Sequence, residues 1–151
     1  EGTRVQPATA NGEVIAKTEQ TLLGLSGLGV CVLRLGGIYG PGRTLERIYS
    51  RAAGQTRPGT GAEAANWIHR SDIVGAIEFV RSHSLSGIYN LVQDEMPTVK
   101  ELIDRVCDRY GLAPVRWNAS QPSGRANNAQ VSNAKIKAAG YGFVHPRFFE
   151  D

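Results

Sequence analysis

The sequence predicts an α/β fold built on parallel strands, and three features of its first third carry that prediction. Residues 30–33 form a short apolar run rich in β-branched side chains, which is typical of a strand covered on both faces. A helical segment and the turn SGLG precede this run, and helix, turn and strand together make half of a β–α–β crossover. Glycines follow at positions 36, 37, 40 and 42, so a glycine-rich loop lies at the carboxyl end of the strand, where open α/β sheets bind ligands.

Hydrophobic periodicity and turn residues locate the other elements in chain order. The predicted helices cover residues 13–25, 44–55, 71–82, 99–110 and 133–139, and the predicted strands cover residues 30–35, 66–69, 87–92 and 114–117. Residues 56–65 and 118–130 are predicted to be loops.

Helix ends are marked by capping residues. Ser71 or Asp72 is expected to cap the third helix. Thr98 and Glu101 form a capping box, in which each side chain satisfies a free amide at the start of the fourth helix, and Gly111 ends that helix. The tail after the last helix is rich in aromatic residues, so we expect it to dock on the body of the protein.

Length and composition are those of a single globular unit, expected over residues 1–151. The chain is 41% hydrophobic and 21% charged, which is ordinary for a folded domain. Its apolar stretches are too short to span a membrane, and its amino terminus lacks the basic flank and apolar segment of a signal peptide. We therefore expect a cytoplasmic protein with no membrane partner.

Charge and cysteine content exclude further classes of protein. The net charge of +3 comes from scattered Lys and Arg, without the basic stripe or the stacking aromatics of a nucleic-acid binder. Cys31 and Cys107 lie far apart in apolar segments, which gives neither a disulfide framework nor a metal-ligand spacing. We predict two buried thiols in a reducing compartment, no metal site and no nucleic-acid partner.

Five segments, taken in order, resemble the carboxyl-terminal half of an extended short-chain dehydrogenase/reductase of the NAD-dependent epimerase/dehydratase family, in particular its atypical bacterial members. They are NGEVIAKTEQTLL, VLRLGGIYGPGR, NWIHRSDIVGAI, GIYNLV with its TVKELI helix, and VSNAKIKAAGY. The resemblance implies the distal part of a doubly wound, Rossmann-like parallel sheet that binds NAD or NADP, with a small α/β substrate-binding lobe. It also implies that the amino-terminal dinucleotide-binding β–α–β units are absent from this chain.

One segment matches a dinucleotide fingerprint by letter alone. Residues 59–64, GTGAEA, fit the pattern G-x-G-x-x-A. The segment is predicted to follow no strand and to open no helix, so we reject it as a phosphate-binding turn.

The family's chemistry rests on a Tyr and on a Lys four residues later, on the helix that starts here near Asn11. Aligning NGEVIAKTEQ on that helix puts Asn11 at the Tyr position and Ile15 at the Lys position. Neither side chain exchanges a proton near neutral pH. A register that used Lys17 would put Glu13 at the Tyr position, so the usual pair is absent in both registers and no catalytic residue is assigned.

The resemblance places the strand end beside the cofactor. The backbone of Leu35, Gly36, Gly37 and Ile38 would line the nicotinamide end of its pocket, and Gly37 stands where many relatives have an Asn that contacts the substrate. Arg34 is interpreted as part of a structural ion pair at the strand end, with a ligand contact as the alternative.

Three residues are candidates for binding a small-molecule substrate: Arg43, His69 and Arg125. For Arg43 and His69 the sequence also allows a structural role. Arg43 could clamp a phosphate through two hydrogen bonds, but a pair with Asp72 or Glu46 is at least as consistent with the sequence. His69 would border the substrate cleft or bond the backbone, with Asp72 capping the helix that follows.

Arg125 is the third candidate, because it lies in the loop before the last short helix. Sugar-nucleotide relatives have an Arg there that meets the pyrophosphate, with an acidic residue three positions later, where this chain has Asn128. Tyr39 could replace the missing acid, but its place in the strand-end motif favours packing.

Three functional hypotheses remain open. The resemblance implies a NAD(P)-dependent epimerase, dehydratase or reductase that acts on a sugar-type or nucleotide-linked small molecule. The absent pair makes a non-catalytic dinucleotide-binding sensor or scaffold an alternative, and a fragment with no independent function is the third. Since a parallel strand needs neighbours on its edges, we expect self-association or association with the missing amino-terminal half.

Overall fold

Every pair of named strands in the described part of the chain is parallel. The protein is represented by a computed structural model that describes residue 3 and residues 5–124 and 128–150. The helices are α1 (Ala10–Leu23), α2 (Leu45–Tyr49), α3 (Arg70–Ser82), α4 (Val99–Tyr110) and α5 (Ala134–Ala138), with one turn of 3₁₀ helix at Ser50–Ala52. The strands are β1 (Cys31–Leu35), β2 (Gly37–Tyr39), β3 (Thr56–Pro58), β4 (Trp67–His69), β5 (Gly87–Leu91) and β6 (Arg116–Asn118). The predicted α/β class is confirmed.

The chain changes its strand partner between β1 and β2. Over five residues β1 pairs with β5, and β2 then pairs with β4, while β3 pairs with β6. The backbone N–H of Gly36 still donates to the carbonyl of Leu91 at 3.0 Å, whereas the N–H of Gly37 donates to the carbonyl of Asn66 at 2.8 Å. The switch therefore takes place between two adjacent residues at the carboxyl end of β1.

Two clusters of buried side chains hold these elements together. The first packs α4 against α2, β6 and the carboxyl-terminal segment, and its most buried members are Leu102, Ile103 and Val106. The second packs α3 and α5 against β5, around Ile68 and Ile136, both of which are fully buried. At about 25 cal/mol per Å² of apolar surface removed from water, such clusters supply most of the folding free energy.

The carboxyl-terminal segment, residues 141–150, is attached to α3 through Asp72. The Asp72 side chain is fully buried. Its Oδ1 accepts the N–H of Val144 at 2.6 Å and its Oδ2 accepts the N–H of His145 at 3.0 Å. The hydroxyl of Tyr141 donates to the backbone carbonyl of Asp72 at 2.7 Å. A buried carboxylate is costly unless it is hydrogen-bonded, and here the donors come from the segment that it attaches.

A second carboxylate holds the end of the same segment. Glu95 accepts the N–H of Phe148 at 2.7 Å, while its own N–H donates to the carbonyl of Pro146 at 2.9 Å. The ring of Phe148 is 2% exposed. The predicted docking of the aromatic tail is thus confirmed.

The role predicted for Asp72 as a helix cap is wrong. Helix α3 begins at Arg70, and its N-cap is His69, whose Nδ1 accepts the N–H of Ser71 at 3.3 Å. Ser71 is therefore not the cap either. The helix starts earlier because an imidazole nitrogen at the end of β4 replaces a hydroxyl or carboxylate oxygen.

Several other expectations need correction. Short strands β2 and β3 lie in segments predicted as loops, and the helix predicted over residues 44–55 consists of five α-helical residues and a 3₁₀ turn. Cys107 is buried as predicted, but Cys31 on β1 is only half-buried. Helix α1 has no buried residue, and its apolar face and the turn after it expose Val14, Ile15, Leu22, Leu25 and Leu28.

Within the residues described, no helix combines the length and the apolar character that crossing a membrane requires.

We predict that Asp72→Asn destabilises the chain by about 2–3 kcal/mol, because one carboxylate oxygen becomes an NH₂ group that faces a backbone N–H donor. Urea unfolding followed by circular dichroism measures the loss. The matched control is Glu78→Gln, which alters an exposed carboxylate on the same helix and should change stability by less than about 0.5 kcal/mol. Equal losses in both variants would refute the proposed attachment.

Candidate functional site

A cavity of about 470 Å³ opens at the carboxyl ends of β1 and β5, and we call it the strand-end cavity. Its described walls are Thr3, Arg34, Leu35, Gly36, Asn90, Val92 and residues 129–132. This is the edge at which parallel α/β sheets bind ligands, beside a point where the order of strands changes. The cavity therefore occupies the position at which the sequence predicted a site.

The guanidinium group of Arg34 in this wall is paired with the carboxylate of Glu19 on α1. Arg34 donates from Nε to Oε1 of Glu19 at 3.0 Å, and its Nη2 donates to Oε2 of the same carboxylate. The hydrogen bond to Glu19 raises the pKa of Arg34. The interpretation of Arg34 as a structural ion pair is confirmed, and Leu35 remains as an exposed apolar side chain at the strand end.

Gly36 and Gly37 lack side chains at the strand end, where residues of the neighbouring strand pack closely against them. A Cβ atom at Gly36 would lie 2.8 Å from the carbonyl oxygen of Asn66, and one at Gly37 would lie 2.8 Å from the ring of Trp67. Any side chain there would push β4 away from β2. Of the four residues predicted to contact a cofactor, Leu35 and Gly36 line the strand-end cavity, whereas Gly37 and Ile38 lie beyond it on β2.

A groove of about 480 Å³ between α1 and β1 continues from this cavity. Ile15 lines it together with Leu33 and Leu35, whereas Lys17 does not. Asn11 lies one helical turn before Ile15 and is exposed. Positions 11 and 15 thus lie on the helix that borders the groove, and the branched apolar side chain of Ile15 stands at the position where the resemblance expects an amine.

His69 lines a different cavity, of about 370 Å³, which we call the histidine cavity. Its ring stacks on that of His145, with centroids 3.7 Å apart and planes 32° apart. Burial lowers the pKa of His69, and the positive charge that His145 can carry lowers it further. Sequence analysis missed His145 because nothing in the tail indicates that it returns to the end of β4.

His69, Asp72 and His145 are three residues of two metal-ligand types, with atoms within 4.8 Å of one another. Two features oppose a metal ion there. Nδ1 of His69 already accepts the N–H of Ser71, and both oxygens of Asp72 already accept backbone amides. The cluster is better explained as the attachment point of the carboxyl-terminal segment.

Arg43 lies on a third surface. Its Nε donates to the carbonyl of Ile38 at 2.9 Å, and it shares a groove with Arg47 and Arg51. Neither pairing predicted for it, with Asp72 or with Glu46, is present among the described ion pairs.

Other predicted residues have structural roles or cannot be placed. Arg125 lies outside the described residues. Asn128 accepts the N–H of Ala64 at 2.8 Å and thereby fastens the loop between β3 and β4. Tyr39 is buried and donates to Oε1 of Gln93 at 2.9 Å, which confirms that it packs. Burial raises the pKa of Tyr39, so its phenol stays protonated.

The segment GTGAEA follows a strand after all, since β3 ends at Pro58. It then leads into β4 rather than into a helix. Because the phosphate site of such a fingerprint is a helix N-terminus, rejection of the match stands.

Comparison with known proteins supports a shared fold. No profile of a known protein family matches the chain. The protein YeeZ of Escherichia coli strain K12 is 33% identical over 126 residues, which are 83% of this chain and 44% of that protein. The chain therefore spans less than half the length of this relative.

Two solved structures are similar over nearly the whole chain. A functionally unknown conserved protein from Silicibacter pomeroyi superposes with a TM-score of 0.82 and 25% identity, covering 97% of this chain and 55% of that one. The dTDP-glucose 4,6-dehydratase of Bacillus anthracis, solved in complex with NAD, has a TM-score of 0.78 and 20% identity over 96% of this chain and 50% of that one.

We predict that stability falls as the pH is lowered below about 6.5, the ordinary pKa of an unfolded His. Because the pKa of His69 is lowered in the folded state, the unfolded chain binds more protons between the two values, and protonation favours unfolding. Free energies of unfolding measured between pH 5 and 8 should slope less in His69→Asn, which keeps a capping side chain. Between pH 7.5 and 8, the free energy of unfolding should change little with pH in either protein. If its slope at low pH were the same in the variant as in the wild type, the prediction would be contradicted.

Proposed function

Because this chain carries part of the fold of the NAD-dependent epimerase/dehydratase family, we propose that it binds an NAD-type dinucleotide together with a sugar-type or nucleotide-linked small molecule. The observation that supports this proposal is the strand-end cavity. It opens where parallel strands β1 and β5 end and where the chain changes its partner between Gly36 and Gly37. The Bacillus anthracis relative, which binds NAD, has the same fold.

The residues of the strand-end cavity fit the nicotinamide end of such a cofactor. The cavity has the size of a small-molecule site, and Leu35 offers an apolar side chain that is 42% exposed. The pairing of Arg34 with Glu19 leaves the wall beside Leu35 without net charge. When bound, the dinucleotide supplies the hydride chemistry of the family, and Leu35 with the backbone of Gly36 would orient its ring.

The phosphates of the cofactor must be held elsewhere. No glycine-rich turn between a strand and a helix N-terminus occurs in residues 5–124 or 128–150 with the spacing of a dinucleotide fingerprint. The proposed site is therefore one side of a larger pocket, to which Arg125 and its loop would add the substrate contact predicted from sequence.

A non-catalytic dinucleotide sensor is the second candidate, and the lining of the cavity and the groove favours it. None of the described side chains that line either space is a Tyr, a Lys or a His. Ile15 lies beside Leu35 in the position of the expected Lys. The carboxylate that lines the groove, Glu19, is held in an ion pair with Arg34, so the described lining offers no unpaired general acid or base.

We expect NADH or NADPH, titrated by fluorescence, to bind a longer protein that contains this chain. Leu35→Ser should weaken binding about tenfold, which corresponds to about 1.4 kcal/mol, because it removes apolar contact with the ring. Val74→Ser, at a valine on α3 that is 54% exposed and lies outside the cavity, is the matched control and should bind normally. Failure of the longer protein to bind either dinucleotide would exclude both candidates.

Reduction of bound NAD⁺ by a panel of nucleotide sugars then separates an enzyme from a sensor. A sensor shows no turnover. Turnover that is lost in Asn11→Ala would contradict the inference that position 11 does no acid–base chemistry.

The exposed apolar face of α1 also supports association with another polypeptide. Val14 is 63% exposed and Leu22 is 42% exposed, and β1 pairs with one described strand only. Large exposed apolar surfaces of this kind mark interaction sites. A second copy or the amino-terminal half of the fold would cover them.

Light scattering of this chain should give more than the mass of one chain at micromolar concentration. The double variant V14K/L22K should shift the chain towards a monomer, because two charges would be buried in the contact. Val144→Lys, at a valine that is 72% exposed but distant in sequence from α1, serves as the control. A wild-type monomer that melts cooperatively would count against the proposed association.

A further inference from the structure

Three arginines line one groove beside α2. The groove has a volume of about 560 Å³ and is formed by Gly42, Arg43, Arg47, Ile48, Ser50 and Arg51. The three arginines are exposed, and no carboxylate is part of the lining. Arg43 lies just before α2, Arg47 lies within it and Arg51 lies in the 3₁₀ turn that follows, and all three line the same groove.

The backbone orients two of these side chains. Arg43 donates from Nε to the carbonyl of Ile38 at 2.9 Å, and Arg47 donates from Nη1 to the carbonyl of Gly42 at 3.3 Å. A guanidinium carries five N–H donors, so each side chain keeps most of its donors for another partner. The loop thus fixes the arginines in place without neutralising their charge.

The charge of the groove is not balanced by a paired carboxylate among the described residues. None of the three arginines forms an ion pair with a carboxylate among the residues that the structure places. Like charges that line one groove repel each other, so an anion between them would remove an unfavourable interaction. Arg34 shows the contrasting case, because it is paired with Glu19 in the wall of the strand-end cavity.

We propose that the arginine groove, formed by Arg43, Arg47 and Arg51, binds a phosphate-bearing anion such as a pyrophosphate group. Planar guanidinium groups bind phosphate oxygens through paired hydrogen bonds, and two or three of them match the charge of a pyrophosphate. The groove is lined by residues other than those of the strand-end cavity, so this inference does not depend on the proposed dinucleotide function. The anion could be free or part of a nucleotide, since both present the same oxygens.

Isothermal titration of the chain with inorganic pyrophosphate tests the proposal. We expect saturable binding that weakens as the salt concentration rises. Arg47→Gln and Arg51→Gln should each weaken it at least tenfold, while Arg81→Gln, which removes an exposed arginine on α3, should change it less than twofold. Arg51→Gln is the more direct of these tests, because Arg43 and Arg47 also donate to backbone carbonyls.

Parallel titrations distinguish the sources of the anion. If ADP and pyrophosphate bind with equal affinity, the free anion is a sufficient ligand. If ADP binds more tightly than pyrophosphate and adenosine alone does not bind, the ligand is a nucleotide. Absence of saturable pyrophosphate binding overturns the proposal, and so does an equal loss in Arg81→Gln, which would reflect net charge alone. Tighter binding of a single-stranded oligonucleotide overturns the assignment to a small anion.

Discussion

The carboxylate of Asp72 lies in the protein interior, where an ionised group is tolerated only if donors surround it. The backbone amides of Val144 and His145 supply those donors, together with a hydroxyl bonded to the carbonyl of the same residue. The carboxyl-terminal segment therefore packs across the start of α3, where its backbone amides donate to this carboxylate. One consequence is that His145 stacks on His69 and becomes a wall of the histidine cavity, so the shape of that cavity depends on a single buried charge.

The second constraint is steric and acts where β1 becomes β2. The chain leaves β5 and joins β4 within one peptide unit, and β4 approaches so closely that a Cβ at Gly36 or Gly37 would collide with Asn66 or Trp67. The same change of partner separates β5 from β2 and opens the strand-end cavity between the strand ends. Glycine is required there by the packing of the sheet, and the strand-end cavity is a result of that packing.

The chemistry of the chain is distributed over three separate surfaces. The strand-end cavity and its neighbouring groove are lined by apolar and neutral groups and by the Arg34–Glu19 ion pair. The histidine cavity holds His69 and His145, and the arginine groove holds unpaired positive charge.

Local patterns were enough to predict the α/β class, strands β1 and β5, the capping box of α4 and the docking of the aromatic tail. In each case the signal lies within about a dozen neighbouring residues. Strands β2 and β3 have only three residues and exist because partners 30 or more positions away complete them. The buried role of Asp72 and the stacking of His145 on His69 were likewise decided by tertiary contacts, whereas the cap at His69 is a local bond to Ser71. Sequence determined where the chain can form helices and strands, whereas only the folded structure decided which polar groups meet, because those partners come from distant parts of the chain.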